Sequence, residues 1–126
     1  MKRILKTRTF NCWLRKTLLS NTALLKAIAE MERGLVDADL GGNVYKKRVA
    51  LPGRGKSGST RTLIATIRED RWIFMYGFEK NERENITQAE LAYLQGVAQI
   101  FLTYSSDELQ LAIAKGEFFK VHHDEA

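Results

Sequence analysis

The sequence predicts an α+β fold: an antiparallel sheet with two N-terminal helices packed on one face and further helices at the C-terminal end. Three observations carry this. Apolar residues recur at helical spacing up to about residue 33, and from residue 45 the pattern changes to β-branched, strand-like runs. Two capping boxes, Thr87-Gln88-Ala89-Glu90 and Ser105-Ser106-Asp107-Glu108, open helices after those runs. Helices therefore flank the strands instead of alternating with them, which argues against a doubly wound sheet.

Residues 2–9 read as a first strand. Residues 11–19 read as a short helix, with Trp13, Leu14 and Leu18 at helical spacing. Ser20 or Asn21 can cap a second helix running to about Arg33. Leu24, Ile28 and Met31 line one of its faces, and Gly34 is placed to end it. Residues 37–43 form a loop around Gly41-Gly42. Runs 45–51, 61–68 and 72–78 make a meander, the first two joined by a Pro/Gly/Ser loop and the last two by the Asp70-Arg71 turn. Thr87 then opens a helix with Leu91, Leu94, Ala98 and Phe101 on one face. Ser105 opens a shorter one that Gly116 closes, and residues 117–123 read as a last strand or ordered tail.

Composition bounds the answer. A length of 126 residues fits one domain, read as a core at about 3–104 with a C-terminal α–β appendage at 105–126. A hydrophobic fraction of 44% excludes wholesale disorder. One cysteine cannot build a disulfide framework or a Cys-rich zinc site. No apolar run approaches the ~18 residues of a membrane span. Lys6 and Arg8 interrupt any apolar core of a signal peptide. The expectation is a soluble, cytoplasmic protein without a membrane partner.

The charge is segregated. Residues 1–62 carry 14 Lys/Arg and 4 Asp/Glu, a net of +10, and residues 63–126 carry 6 and 11, a net of −5. The densest stretch holds Lys46, Lys47, Arg48, Arg54, Lys56 and Arg61 with no acid among them. Such a patch attracts phosphate and polyanions. Within it, residues 50–57 fit a permissive phosphate-loop pattern. That motif needs a buried strand before it and a helix after it. Here the preceding strand is cationic and the following segment is β-rich. The better reading is a long, flexible, basic hairpin loop over residues 51–61. Its glycines allow close backbone approach, and Arg54, Lys56 and Arg61 supply phosphate contacts.

Four segments then resemble a known family in their order and spacing. They are Lys46-Lys47-Arg48-Val49, Gly53-Arg-Gly-Lys-Ser-Gly58, Arg61-Thr-Leu-Ile64 and Tyr76-Gly-Phe-Glu-Lys-Asn-Glu-Arg83. Together with Glu32-Arg-Gly-Leu-Val-Asp-Ala-Asp-Leu-Gly41 ahead of them, they resemble the RelE/HigB-like toxins of bacterial type II toxin–antitoxin modules, over roughly residues 3–104. The resemblance implies a RelE-like fold with two helices on one side of an antiparallel sheet and RNA on the other, concave side. It implies a ribosome-dependent endonuclease that cuts mRNA in the decoding site of the 70S ribosome and needs no cofactor. It implies a cognate antitoxin, often a helix-turn-helix DNA-binding protein, with operator DNA met only through their complex. Arg61 matches the residue that contacts RNA phosphate near the scissile bond. Lys80 matches a basic position after the meander, Arg48 and Lys47 lie on the strand whose basic residues face RNA, and Lys56 lies in the matching loop. The catalytic set is thus Arg61, Lys80, Arg48 and Lys56. Lys46, Lys47, Arg54, Arg83 and Tyr76 are expected to bind RNA. RelE proper has an arginine directly after the position of Lys80, where this chain has Asn81. It also has a tyrosine near the start of the last helix, where this chain has Thr87; Tyr76 takes its stacking role if it shares the same face.

The chemistry agrees by elimination. His122 and His123 are adjacent near the end of the chain and would point to opposite faces of a strand. Asp37 and Asp39 have no third acid or histidine near in sequence, so no metal is expected. Lys/Arg chemistry remains: clustered cations can depress a lysine pKa and stabilise a phosphorane. Cys12 reads as an apolar filler, with Phe10 and Trp13 in the core. Trp72, Phe74 and Phe78 alternate with Ile73, Met75 and Gly77, so one set packs under helices and the other is free to stack on a base. Glu79, Glu82 and Glu84 could tune Lys80 and Arg83 through ion pairs, or form a solvated acidic turn. Two other readings stay open: a non-catalytic toxin of the related ParE type acting on DNA gyrase, and a plain RNA- or DNA-binding module.

Overall fold

The computed structural model describes residues 2–51, 55–68 and 70–122, those at 55–58 by their backbone alone. The elements run β1 (Arg3–Thr7), α1 (Arg8–Leu14), α2 (Asn21–Glu32), β2 (Ala38–Asp39), β3 (Val44–Leu51), β4 (Gly55–Thr66), β5 (Arg71–Glu79), α3 (Gln88–Thr103), α4 (Ser106–Ala114) and β6 (Phe118–Lys120). The strands form one sheet in the order β2-β3-β4-β5-β1-β6. The β3-β4-β5 meander is antiparallel, as the sequence predicts. β1 lies parallel to β5 and antiparallel to β6.

Local signals explain most boundaries. The Ser20 side chain caps α2 by accepting the Ala23 N–H. Gly34 ends the helix at φ 89°, where a side chain would be strained, with the Leu35 N–H closing onto the Glu30 carbonyl. Both predicted capping boxes form. The first helix starts earlier than its apolar spacing suggests. Thr7 ends β1 and caps α1, its hydroxyl taking the Phe10 N–H at 3.1 Å, so the helix spans Arg8–Leu14 rather than 11–19. Cys12 is exposed on it, not a core filler. Within the predicted 37–43 loop, Ala38–Asp39 pairs with β3 as a short edge strand.

The glycine-rich segment differs more. β4 begins at Gly55, which pairs with Leu51, so Lys56 lies on a strand. Of the expected 51–61 loop, residues 55–61 lie on β4, and residues 52–54, Arg54 among them, lie outside the described residues. No helix follows, so no phosphate-loop geometry is present.

Each face of the sheet carries a core. On one, Leu24, Ile28 and Met31 of α2 and Phe10 and Leu14 of α1 pack on Val49, Ile64, Trp72 and Phe74. On the other, Leu94 and Ala98 of α3 and Leu109 and Ala112 of α4 pack on Val44, Leu63, Ala65 and Ile73. The C-terminal segment belongs to this second core: Phe118 is buried edge-on to Phe101 at 4.8 Å, and β6 extends the sheet beyond β1.

One irregularity matters for everything that follows. Leu63 pairs with Tyr76, but Ile64 pairs with Phe74, leaving Met75 as an extra residue in β5. Such a bulge flips the strand's alternation. Trp72 and Phe74 therefore face the α1/α2 core, whereas Phe78, expected with them, shares the opposite face with Tyr76. Gly77 falls on the α1 side, and Trp13 fills the space where its side chain would be. A Cβ there would lie 2.4 Å from Trp13 Cζ3 and 2.6 Å from Cε3. Gly77→Ala must displace an indole wedged against Phe10, an overpacking cost of about 1–3 kcal/mol. A thermal melt should show Tm lowered by roughly 4–10 °C; an unchanged Tm would mean that Trp13 is not the constraint.

Candidate nucleic-acid interface

α3 and α4 cover only one end of their side of the sheet. At the other end the register lines up a transverse row on the same face. Arg48 of β3 lies directly opposite Arg61 of β4, and Arg61 lies opposite Phe78 of β5. Beside it runs a second row of Lys46, Leu63 and Tyr76. Two like charges directly opposite each other weaken a sheet. Here the Asp37 carboxylate pairs with Arg48 and offsets part of that repulsion.

The row is held at both ends by carboxylates. Asp37, just before β2, accepts the Arg48 backbone N–H at 2.7 Å and the Arg48 Nε–H at 2.9 Å. Burial pushes the Asp37 carboxyl up, but hydrogen bonds from Arg48, and its charge together with that of Lys47, outweigh this and hold it below its ordinary value. At the other end, Arg83 forms a two-pronged bridge with Glu90, at 2.6 and 2.9 Å. Its Nε donates to the Asn85 carbonyl, and its Nη1 reaches the Tyr76 hydroxyl at 3.3 Å. The guanidinium carbon sits 5.9 Å from the Phe78 ring centre. Glu90 is pushed down to about 2, first by the Arg83 hydrogen bonds and then by the Thr87 backbone N–H, so it is ionised throughout the neutral range. Arg61 donates to the Ser59 carbonyl at 3.1 Å.

The expected site residues distribute as follows. Arg48, Arg61, Lys46, Tyr76 and Arg83 come together on or beside this face. The bulge at Met75 is what turns Tyr76 toward it. Lys80 is exposed in the turn after β5. Lys56 lies on β4 by its backbone alone, and Arg54 is outside the described residues. Lys47 is a correction. Strand alternation sends it to the α2 face, away from Lys46 and Arg48, where it is 2% exposed. Its ammonium pairs with Glu30 at 2.9 Å and donates to the Leu35 carbonyl at 3.0 Å.

Phe78 is a second correction. It is 3% exposed, a buried pedestal beneath Arg83 rather than a surface for base stacking. Of the two readings of the acidic turn, the structure fits the solvated one, with Glu82 and Glu84 exposed. Glu82 accepts the Glu79 N–H, and the carboxylate that meets Arg83 is Glu90, seven residues away on α3. Sequence reasoning missed Glu90 and Asp37 as members of the site. The local signal at Glu90 marks only a helix cap and that at Asp37 only a loop, since both meet their arginines through tertiary contact.

His122 is exposed, and His123 lies outside the described residues. Among the described residues, no three His, Cys, Asp or Glu side chains gather where they could hold a metal ion. No helix there is long and apolar enough to cross a membrane. A groove of about 470 Å³ adjoins the row, running between Thr7, Thr9, Tyr76 and the Glu90–Tyr93–Val97 side of α3.

A sequence model of the RelE toxin of the RelE/RelB toxin–antitoxin system matches residues 2–121, nearly the whole chain and including α4 and β6. No curated protein matches the chain.

Proposed function

The chain belongs to the RelE toxin family, and from that premise and its cationic row we propose that it cuts messenger RNA on the 70S ribosome. Membership makes it the toxin of a toxin–antitoxin pair, in a family of translation-inhibiting endonucleases, and implies a cognate antitoxin. The observation that carries the finer reading is the Arg48–Arg61 pair, two arginines at directly opposite positions of adjacent strands on one face.

The reaction is a transesterification. The 2′-hydroxyl oxygen bonds to the adjacent phosphorus, the bond from phosphorus to the 5′-oxygen breaks, and the 2′ proton is given up as the leaving oxygen gains one. The products are a 2′,3′-cyclic phosphate and a 5′-hydroxyl. Arg61, flanked by Arg48, holds the extra charge of the phosphorane, the term that usually contributes most. Lys56 and Lys80 are the candidate proton carriers, since arginine stays protonated. Lys46, Tyr76 and Arg83 grip the flanking RNA, and Arg54, outside the described residues, is a further candidate for RNA contact. No metal enters this scheme.

Such a site has no histidine couple, so alignment of the 2′-hydroxyl must come from elsewhere. The ribosome supplies it; positioning alone is worth roughly 7–11 kcal/mol. Acting on ribosomes would place the protein in the cytoplasm. The antitoxin is expected to be a helix-turn-helix protein that carries the toxin to operator DNA. Induced expression in cells tests the reading. The expected result is growth arrest with rapid loss of translated mRNA, rescued by the antitoxin. DNA damage with intact mRNA would mean gyrase poisoning, and steeply salt-dependent RNA binding without cleavage would mean a binding module.

A further inference from the structure

An acid on a phosphate-binding face needs a reason, because it weakens the field that attracts RNA. Glu90 is such an acid. It has two tasks in the structure, and they involve different partners. Toward its own helix it closes a capping box: its Oε1 accepts the Thr87 N–H at 2.7 Å while its own N–H donates to the Thr87 hydroxyl at 3.0 Å. Toward the sheet it grips Arg83 with both oxygens. A capping box needs only one side-chain acceptor, which glutamine also supplies. The second oxygen and the charge therefore serve Arg83.

The result is a fixed guanidinium. Arg83 follows the turn after β5, on a flexible side chain with several rotamers open to it. Four contacts remove that freedom: the Glu90 bridge, the Asn85 carbonyl, the Tyr76 hydroxyl and the Phe78 ring. Phe78 is also the cross-strand neighbour of Arg61. The chain of contact runs Glu90, Arg83, Phe78, Arg61, across one end of the face.

We infer that Glu90 is a positioning residue of the nuclease site, aiming the Arg83 guanidinium over Phe78 so that it meets RNA phosphate next to the one held by Arg61. This rests on the nuclease reading above. The Glu90, Asn85 and Tyr76 contacts occupy four of the five Arg83 N–H groups, which leaves one Nη2–H for phosphate. The opposite reading treats Glu90 as a neutraliser that masks Arg83 until RNA displaces it. The two predict opposite signs. Removing a neutraliser raises the positive charge and should speed cleavage. Removing a positioning group should slow it.

The test uses the full chain with programmed ribosomes and a defined mRNA, in single-turnover reactions at saturating and subsaturating toxin. Glu90→Gln, which keeps an acceptor for the cap, is expected to lower the cleavage rate at saturation about ten-fold, the size of one charge-assisted hydrogen bond. Toxin–ribosome affinity should stay within about two-fold. Thr87→Ala, which breaks the cap and keeps the bridge, should lower Tm by a few degrees and leave the cleavage rate within about two-fold. Arg83→Ala should slow cleavage at least as much as Glu90→Gln. The double variant Arg83→Ala/Glu90→Gln should be no slower than Arg83→Ala alone, because Glu90 acts through Arg83. Faster or unchanged cleavage by Glu90→Gln, or additive losses in the double variant, would overturn the inference while leaving the nuclease reading intact. A wild-type chain that cuts nothing would overturn both.

Discussion

Arg61→Ala is expected to lower ribosome-dependent mRNA cleavage by roughly 10²–10³-fold, the loss typical when one group stabilising a charged transition state is removed. Its place supports this: the middle of the transverse row, between Arg48 and Phe78, half-buried and held by the Ser59 carbonyl. The same substitution should leave the fold intact. It removes one of two like charges at directly opposite strand positions, so Tm should change by less than about 2 °C. Arg61→Lys should fall between wild type and alanine, because an ammonium keeps the charge but not the planar fork. Activity lost without stability lost is the signature of a functional arginine. A collapse in Tm would instead assign Arg61 to the scaffold.

Lys47→Ala is expected to behave in the reverse way. Lys47 is 2% exposed and its ammonium is clamped by Glu30 and the Leu35 carbonyl. Removing one member of a buried pair costs about 3–5 kcal/mol, because the other charge is stranded. Tm should drop by roughly 10 °C or more. Cleavage measured well below that Tm should remain within a few-fold of wild type, since the side chain lies across the sheet from the cationic row. Lys47→Met combined with Glu30→Leu should recover much of the loss, because an apolar pair of similar volume often replaces a buried ion pair without penalty. If Lys47→Ala loses activity and keeps its Tm, the face assignment is wrong.

The fold was legible where its signals are local. Ser20 and Gly34 frame α2, Thr87 and Ser105 open α3 and α4, and β-branched runs mark the meander; each depends on neighbours a few residues away. The α1 start was missed because Thr7 sits outside the apolar periodicity that marked the helix. The parallel β1–β5 pairing joins residues almost seventy positions apart, and nothing local encodes it.

The site divides in the same way. The cation cluster of Lys46, Arg48 and Arg61 was legible from charge alone. That one of three consecutive basic residues must face the other way follows from strand alternation, and the middle one, Lys47, is the one that turns inward. The bulge at Met75 was not legible, because alternation gives no warning of an inserted residue. It is the bulge that moves Phe78 and Tyr76 to the face of Arg61. The carboxylates Asp37 and Glu90 were hidden because each meets its arginine through tertiary contact, 11 and 7 residues apart in sequence.

The central claim is that the open end of the sheet cuts mRNA only when a ribosome presents it. The direct measurement is primer extension on a defined mRNA incubated with purified chain, with and without programmed 70S ribosomes, and with Arg61→Ala alongside. Discrete new 5′ ends that require ribosomes and vanish with Arg61→Ala are the predicted result. No cuts under any condition, by a folded chain that still binds RNA or gyrase, would contradict it and make the cationic row a docking surface.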